Sequence, residues 1–75
     1  MRMFARAREL AGTNRDVFEA TTVGEVIEAA VARYGPDFAA LLPTCRVWLN
    51  GDPADHATVV RPGDEVAVLP PVSGG

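Results

Sequence analysis

The sequence predicts a small α+β domain in which a mixed sheet of about five strands carries one long helix across one face. Two observations predict this class. Several short segments alternate apolar and polar residues as strands do, and one longer segment repeats its apolar residues at helical spacing. The length of 75 residues fits one small domain. A chain this short buries only about 60% of the surface that it exposes when unfolded, so its core is thin.

The first segments predict a pair of strands. MRMFARA (1–7) alternates in the manner of a strand. Its two faces are Met1, Met3, Ala5 and Ala7, and Arg2, Phe4 and Arg6. RELAGTN (8–14) predicts a helical turn that Gly12 closes, followed by a loop. RDVFEA (15–20) predicts a second short strand, antiparallel to the first.

The clearest element is a helix over residues 22–35. Thr22 and Glu25 have the spacing of a capping box, in which a hydroxyl and a carboxylate accept hydrogen bonds from unpaired N–H groups at the start of a helix. An apolar stripe at helical spacing follows, formed by Val23, Val26, Ile27, Ala30, Val31 and Tyr34. Gly35 and Pro36 then end the helix. We expect the stripe to pack against the sheet.

Two segments after the helix predict a cover for the core and a third strand. PDFAALLP (36–43) predicts a short turn or helix at one end of the core. CRVWLNG (45–51) predicts a strand that ends in the strong turn signal Asn50-Gly51. Its faces are Val47 and Leu49, and Arg46, Trp48 and Asn50.

The remaining segments complete the sheet. TVV (58–60) predicts a very short strand, and RPGD (61–64) predicts a type II turn. EVAVL (65–69) predicts the last strand, with Val66 and Val68 opposite Ala67 and Leu69. A strand pair, one long helix and further strands make the β-grasp arrangement of ubiquitin. We therefore expect a β-grasp domain over residues 1–69 and an extended tail over 70–75.

The composition excludes several classes of function. The net charge of −3 argues against a nucleic-acid partner, since such partners require a basic face. No apolar run approaches the ~18 residues of a membrane span, and no signal segment opens the chain, so we expect a cytoplasmic protein without a membrane partner. The lone Cys45 excludes an internal disulfide. All seven basic residues are arginines, so no lysine side chain can accept an isopeptide bond.

Four segments carry a resemblance to a known family. They are FARARELAGT (4–13), TVGEVIEAAVARYG (22–35), VWLNG (47–51) and the tail PGDEVAVLPPVSGG (62–75). With these segments the chain closely resembles the MoaD family, the small subunits of molybdopterin synthase, which are ubiquitin-like sulfur carriers. The most specific part is Pro70-Pro71-Val72 before a small residue and Gly-Gly. Family members often carry two aromatics before the prolines, where this chain has Val68 and Leu69.

The resemblance implies a carrier cycle centred on the carboxylate of Gly75. An E1-like enzyme would use MgATP to adenylate it, and a sulfur donor would convert it to a thiocarboxylate. The loaded tail would enter the large subunit of molybdopterin synthase, in a heterotetramer of two small and two large subunits, and give its sulfur to a cyclic pterin precursor. The chain itself would bind no cofactor or metal and act as a noncatalytic subunit.

The tail and one face of the sheet are the candidate working parts. Prolines hold a segment extended, and glycines without a Cβ pass through narrow channels. We expect insertion of the tail residues Pro70, Pro71, Val72, Ser73 and Gly74 ahead of Gly75. We expect the open sheet face to bind partners through Phe4, Trp48 and Leu69, rimmed by Arg2, Arg6 and Arg46. The alternative is that Phe4 or Trp48 folds into a small satellite core.

Other chemistries have weaker support in the sequence. Cys45 and His56 are the only residues of the usual nucleophile-and-base kind, and no third orienting group is apparent. Asp52, Asp55 and His56 lack the tight spacing of metal ligands, and Asp64 and Glu65 are explained by the predicted turn. Two alternatives to molybdopterin synthesis remain open. The sulfur could serve cysteine, thiamine or tRNA thiolation, or the chain could be a ubiquitin-like protein modifier or binding module.

Overall fold

Residues 1–71, the part of the chain that the computed structural model describes, form a four-stranded sheet and three α-helices. In chain order the elements are β1 (Arg2–Met3), α1 (Ala5–Ala11), α2 (Val23–Tyr34), α3 (Pro36–Leu41), a 3₁₀ turn (Leu42–Thr44), β2 (Arg46–Leu49), β3 (Asp52–Pro53) and β4 (Val66–Leu69). The strand order is β1-β4-β2-β3. The sheet is mixed, because β1 runs parallel to β4 whereas β2 is antiparallel to both β4 and β3. The predicted tail residues 72–75 lie outside the described residues.

The core lies between α2 and the sheet. Its buried residues are Met1, Met3, Ala7, Val23, Val26, Ile27, Ala30, Phe38, Val66 and Val68. The predicted helical stripe is confirmed, since its last members, Val31 and Tyr34, are half-buried and pack against this cluster. Phe38 of α3 is fully buried and meets the Tyr34 ring edge-on at 5.1 Å between centroids. The segment after α2 therefore covers one end of the core, as predicted.

The predicted capping box of α2 forms only in part. The Thr22 hydroxyl accepts a hydrogen bond from the Glu25 N–H at 3.2 Å, as expected. The Glu25 carboxylate bonds to Thr21 instead of Thr22, because Thr21 offers two donors, its N–H at 2.8 Å and its hydroxyl at 2.6 Å. Hydrogen bonds from Thr21, the side chain first, lower the pKa of Glu25.

The first strand is shorter than the alternation of residues 1–7 predicts. It ends at Met3, and Ala5, at φ +50°, turns the chain into α1. The neighbouring strand explains this end, since β4 stops at Leu69 and the following Pro70 has no N–H to continue the ladder. The residues after Phe4 are also good helix formers. Arg6 and Ala7 consequently belong to a helix, and the strand faces assigned to them are wrong.

Two predicted strands are reduced to single bridges. Arg15 stands opposite Arg2 in the predicted antiparallel direction, and the neighbouring Asp16 exchanges two backbone hydrogen bonds with Met1. Val59 stands opposite Thr22, and this bridge is flanked by hydrogen bonds from the Val23 N–H to the Thr58 carbonyl and from the Val60 N–H to the Thr21 carbonyl. A different strand takes part instead. Asn50 and Gly51 have φ of +50° and +87°, as a two-residue hairpin turn requires, and they join β2 to the edge strand β3. A strand beginning at a turn with proline inside it has little strand signal, so the sequence did not predict β3.

Candidate functional site

The candidate site lies on the sheet face opposite the core, where β4 lies between β1 and β2. The strand register places Ala67 between Arg2 of β1 and Trp48 of β2. It also places Leu69 opposite Arg46 of β2. Residues that stand opposite one another in neighbouring strands share a face, so these side chains lie together on the side away from Val66 and Val68.

Phe4 joins this group at the end of β1. Its backbone is still extended, and its N–H donates a hydrogen bond to the Val68 carbonyl at 3.3 Å. One step further along the register of β1 and β4, Phe4 comes beside Leu69. The residue is 37% exposed, and the Arg2 guanidinium lies 5.3 Å from the centroid of its ring, a distance typical of a cation–π contact.

The open-face patch, as we call Phe4, Trp48 and Leu69, lies outside the core. Among the described residues, none of the three belongs to the buried cluster or to the half-buried side chains packed against it. Trp48 and Leu69 are themselves half-buried. The strand alternation therefore placed all three on the correct face, and their role in binding a partner stays a prediction.

The rim of the patch differs from the one predicted. Arg2 and Arg46 are exposed on the predicted face. Arg6 is on α1 and pairs with Glu9 at 3.1 Å, because the chain leaves the sheet before reaching it. Glu65 completes the rim, with Arg2 at 3.5 Å and Arg15 at 3.2 Å from its Oε1. Arg15 and Glu65 are 50 residues apart in the sequence, so no local pattern indicates this pair.

The predicted tail begins at the edge of the patch. Pro70 is half-buried and Pro71 is exposed, directly after Leu69 at the end of β4. Because β4 lies between β1 and β2, the chain leaves the sheet between Phe4 and Arg46. Val72, Ser73, Gly74 and Gly75, which carry the rest of the predicted site, lie outside the described residues.

Cys45 and His56, far apart in the sequence, line the same small hollow beside α2. The Cys45 thiol donates a weak hydrogen bond to the Leu41 carbonyl at 3.4 Å, and burial raises the pKa of this thiol. A raised pKa disfavours the thiolate, which is the nucleophilic form of cysteine. The His56 carbonyl accepts a hydrogen bond from the Gly24 N–H at 3.0 Å. A side chain at Gly24 would place its Cβ 3.0 Å from that same oxygen, which explains the glycine inside an apolar helix.

The other acidic candidates serve local structure. Asp55 accepts a hydrogen bond from the Ala57 N–H at 2.9 Å, and Asp52 lies in the exposed edge strand β3. Asp64 closes the predicted turn, accepting from the Asn50 side chain at 3.0 Å and the Arg61 N–H at 2.9 Å. These bonds, that from Asn50 first, lower the pKa of Asp64. Among residues 1–71, no three His, Cys, Asp or Glu side chains are grouped as metal ligands. No helix in that range is long and apolar enough to span a membrane.

The strand order and the helix packed on one face define a ubiquitin-like β-grasp protein. A family model confirms the resemblance seen in the sequence. The chain belongs to the ThiS family, whose model matches residues 1–75.

Two curated relatives are similar over nearly their whole length. The molybdopterin synthase sulfur carrier subunit of Chlamydomonas reinhardtii is 36% identical, over 96% of this chain and 92% of that protein. The small archaeal modifier protein 1 of Haloferax volcanii is 34% identical, over 99% of this chain and 97% of that protein.

Solved structures agree with the fold. A crystal structure of the Haloferax volcanii protein has a TM-score of 0.76 at 32% identity, covering 99% of this chain and 94% of that one. A putative molybdopterin converting factor, subunit 1, from Pyrococcus furiosus has a TM-score of 0.78 at 27% identity, covering 95% of this chain and 93% of that one.

Proposed function

We propose that this protein is a sulfur carrier that is loaded as a thiocarboxylate on Gly75 and supplies sulfur for molybdopterin synthesis. The observation that carries the proposal is the whole-chain similarity to the Chlamydomonas reinhardtii sulfur carrier subunit of molybdopterin synthase. The proposal is also supported by the residues that follow β4, Pro70-Pro71-Val72-Ser73-Gly74-Gly75. This segment is the most specific part of the resemblance to the MoaD family.

The chemistry of the carboxylate explains why activation is needed. A carboxylate is a poor electrophile, so one of its oxygens first attacks the α-phosphorus of MgATP on an E1-like enzyme, releasing pyrophosphate and leaving an acyl-adenylate. A sulfur nucleophile at the oxidation level of hydrosulfide then displaces AMP and leaves the thiocarboxylate. The thiocarboxylate sulfur then takes the place of an oxygen substituent on a carbon of the pterin precursor, which forms a thioester. Water attacks the acyl carbon and breaks its bond to sulfur, which leaves the sulfur on the pterin and restores the carboxylate. The chain supplies the carrier group, and its partners supply the catalysis.

The open-face patch is the surface that we assign to both partners, the activating enzyme and the large synthase subunit. Aromatic residues and arginine are favoured at protein interfaces, and the patch combines Phe4 and Trp48 with Arg2 and Arg46. Because the tail follows directly after Leu69 of the patch, a partner that binds the patch is also placed to receive the tail. We expect two small and two large subunits in the synthase.

A second candidate function is protein modification, in which Gly75 is joined to an amine of another protein. The similarity to small archaeal modifier protein 1 favours it. Because the sequence contains no lysine, copies of this protein cannot be joined to one another through lysine side chains. Intact-mass spectrometry of protein purified from the native cell separates the two candidates. A species heavier by the difference between one sulfur and one oxygen supports the carrier, whereas conjugates through Gly75 support the modifier.

Deletion of Gly75 tests the carrier proposal directly. We expect the shortened protein to form no thiocarboxylate with the activating enzyme, MgATP and a sulfur donor, while its melting temperature changes little, since a terminal residue contributes almost no buried surface. Ser73→Ala, which keeps both glycines, is the matched control and should still be loaded. Loading of the deletion variant, or a large fall in its melting temperature, would contradict this assignment of the tail.

A further inference from the structure

The turn that joins β2 to β3 is tied to the start of β4. Its residues Asn50 and Gly51 are exposed and have φ values of +50° and +87°. Asparagine adopts a positive φ more readily than most residues with a Cβ. The Asn50 N–H donates a hydrogen bond to the Glu65 carbonyl at 2.8 Å, which continues the ladder between β2 and β4 by one residue.

The side-chain carboxamide of Asn50 completes this pairing. A regular antiparallel ladder would use the Asn50 carbonyl to accept from the Glu65 N–H, but here the side-chain Oδ1 accepts that bond, at 2.8 Å. The Nδ2 of Asn50 donates to Oδ1 of Asp64 at 3.0 Å, and Oδ2 of Asp64 accepts from the Arg61 N–H at 2.9 Å. Both ends of the carboxamide are therefore bonded to the segment that leads into β4.

An asparagine followed by glycine is also open to deamidation. The Gly51 nitrogen, after losing its proton to base, attacks Cγ of Asn50, because glycine has no side chain to hinder the approach. Ammonia leaves and a cyclic succinimide forms, and water then opens the ring at either carbonyl to give aspartate or isoaspartate. Within residues 1–71 the Gly51 N–H makes no hydrogen bond to another residue, so the hydrogen bonds that oppose the reaction are those of the Asn50 carboxamide.

The product does not fit the folded turn. A carboxylate in place of the carboxamide has no hydrogen to donate, and one of its oxygens would stand where Nδ2 lies 3.0 Å from the Asp64 oxygen. Like charges this close repel each other. The charge of Arg61 also favours the Asp64 carboxylate, but it would then be shared between two carboxylates. Isoaspartate in addition lengthens the backbone by one carbon atom within a two-residue turn.

We propose that Asn50 is a site of spontaneous deamidation that the folded turn suppresses, so that a chain modified while it is open folds less stably. The modification removes the bond that holds Asp64 next to β4, the strand that leads to the tail. It also acts beside Glu65, which forms ion pairs with Arg2 and Arg15 at the rim of the open-face patch. This proposal is independent of the carrier function.

The first test compares the reaction in the folded and the unfolded full-length protein. Samples are kept in mildly alkaline buffer with guanidinium chloride or with sodium chloride at the same concentration. Mass spectrometry of peptic peptides then detects the mass difference between a carboxamide and a carboxyl group. We expect Asn50 to react roughly ten- to hundredfold more slowly in the folded protein, since its side-chain hydrogen bonds must open first.

The other asparagine of the chain is an internal control. Asn14 precedes Arg15, whose side chain hinders attack by its nitrogen, so in the unfolded protein Asn14 should react more slowly than Asn50. Equal rates at Asn50 with and without guanidinium chloride would overturn the proposal. A rate at Asn50 no higher than that at Asn14 in the unfolded protein would overturn it as well.

A variant ties the suppression to a named contact. Asp64→Ala removes the acceptor of the Nδ2 bond, and we expect it to speed the reaction of the folded protein by roughly two- to tenfold. The rate in guanidinium chloride should stay the same, because the contact is absent from the unfolded chain. An unchanged rate in the folded variant would overturn the assignment of the protection to this turn.

Exchange of the two side chains tests the effect on folding. Asn50→Asp reproduces one of the two products and should raise the equilibrium constant for unfolding by roughly five- to tenfold in denaturant melts. Combining Asn50→Asp with Asp64→Asn reverses donor and acceptor, so the bond between the two side chains can form again and most of the loss should be recovered. An Asn50→Asp protein as stable as the unmodified one, or a double variant without recovery, would overturn the proposal.

Discussion

The Tyr34 hydroxyl donates a hydrogen bond to the Asp16 carboxylate, joining the end of α2 to the segment that follows β1 and α1. Arg33 donates to the same carboxylate at 2.8 Å and also lies 4.5 Å from the centroid of the Phe18 ring. Hydrogen bonds from Tyr34 and then Arg33 lower the pKa of Asp16 to about 2. Burial and the neighbouring Asp16 raise the pKa of Tyr34. One acidic residue thus holds a segment that has almost no sheet pairing.

The Asp16 carboxylate should make stability depend on pH in the acidic range. Its pKa is lower in the folded state, about 2 against the ordinary 3.8, so its stabilisation is present above the ordinary value and is lost as pH falls toward the folded one. We expect Asp16→Asn to destabilise the protein at neutral pH and to flatten the loss of stability between about pH 5 and 2. Urea melts over this range measure both effects.

Tyr34→Phe is the matched control for this prediction, because it keeps the ring that packs on Phe38 and removes the largest cause of the shift. Tyr34→Phe should reduce the loss of stability at low pH, but by less than Asp16→Asn does. An Asp16→Asn protein whose stability falls with pH as steeply as that of the unmodified protein would show that other carboxylates control acid unfolding.

Ile27 tests the contact between α2 and the sheet. It is 7% exposed and belongs to the buried cluster. Ile27→Ala should lower the free energy of unfolding by roughly 2–4 kcal/mol, as truncation of a buried aliphatic does, whereas Val59→Ala, at a residue that is 58% exposed, should change it little. Denaturant melts compare the two. An effect at Ile27 below about half a kcal/mol would contradict this packing.

The open-face patch should matter more for binding than for folding. Phe4→Ala, Trp48→Ala and Leu69→Ala should each weaken docking to the activating enzyme or the large subunit, Phe4→Ala by about 2 kcal/mol if it is a central contact. Stability should change less, because none of the three belongs to the core. Binding titrations and melts on each variant measure the two effects, with Val17→Ala as an exposed control off the patch. Loss of stability with normal binding would support the satellite-core alternative.

Reversing the charge of an arginine at the rim of the patch tests whether the rim attracts the partner. Arg46 stands opposite Leu69, whereas Arg6 lies on α1 and pairs with Glu9. If the partner surface is acidic, Arg46→Glu should slow association and reduce its salt dependence more than Arg6→Glu does. Equal effects of the two reversals would mean that the net charge, rather than the patch, attracts the partner.

Ala5 is a strained position whose relief can be measured. Its φ of +50° is unfavourable for a residue with a Cβ, and it directs the chain from β1 into α1. The strain costs an L-residue about 1–2 kcal/mol, and glycine loses about 0.5–1 kcal/mol more on ordering. We therefore expect Ala5→Gly to stabilise the protein by on the order of 0.5 kcal/mol. Ala32→Gly, in α2, should instead cost about 0.5–1 kcal/mol. Denaturant melts compare the two variants, and similar losses of stability in Ala5→Gly and Ala32→Gly would rule out strain at Ala5.

Patterns within single segments determined much of the fold. The apolar stripe from Val23 to Tyr34 places α2 and its buried face, and the alternation of Val66 and Val68 with Ala67 and Leu69 places β4 and both of its faces. These patterns succeed because a helix and a strand repeat with fixed periods, so one buried face shows in the sequence wherever the element lies. The family likewise follows from the sequence alone, whereas the extended tail over 70–75 stays a prediction.

The tertiary structure alone decided which segments pair and where pairing stops. The alternation of residues 1–7 predicts a strand, yet β1 ends at Met3, because its partner β4 is followed by a proline without an N–H. Residues 15–20 keep the alternating pattern of a strand, yet within residues 1–71 their backbone pairs with β1 only at Arg15 and Asp16. The pair of Arg15 with Glu65 likewise forms only in the folded chain. A segment's periodicity records which of its faces is buried, whereas a hydrogen-bond ladder also requires a second strand of matching length.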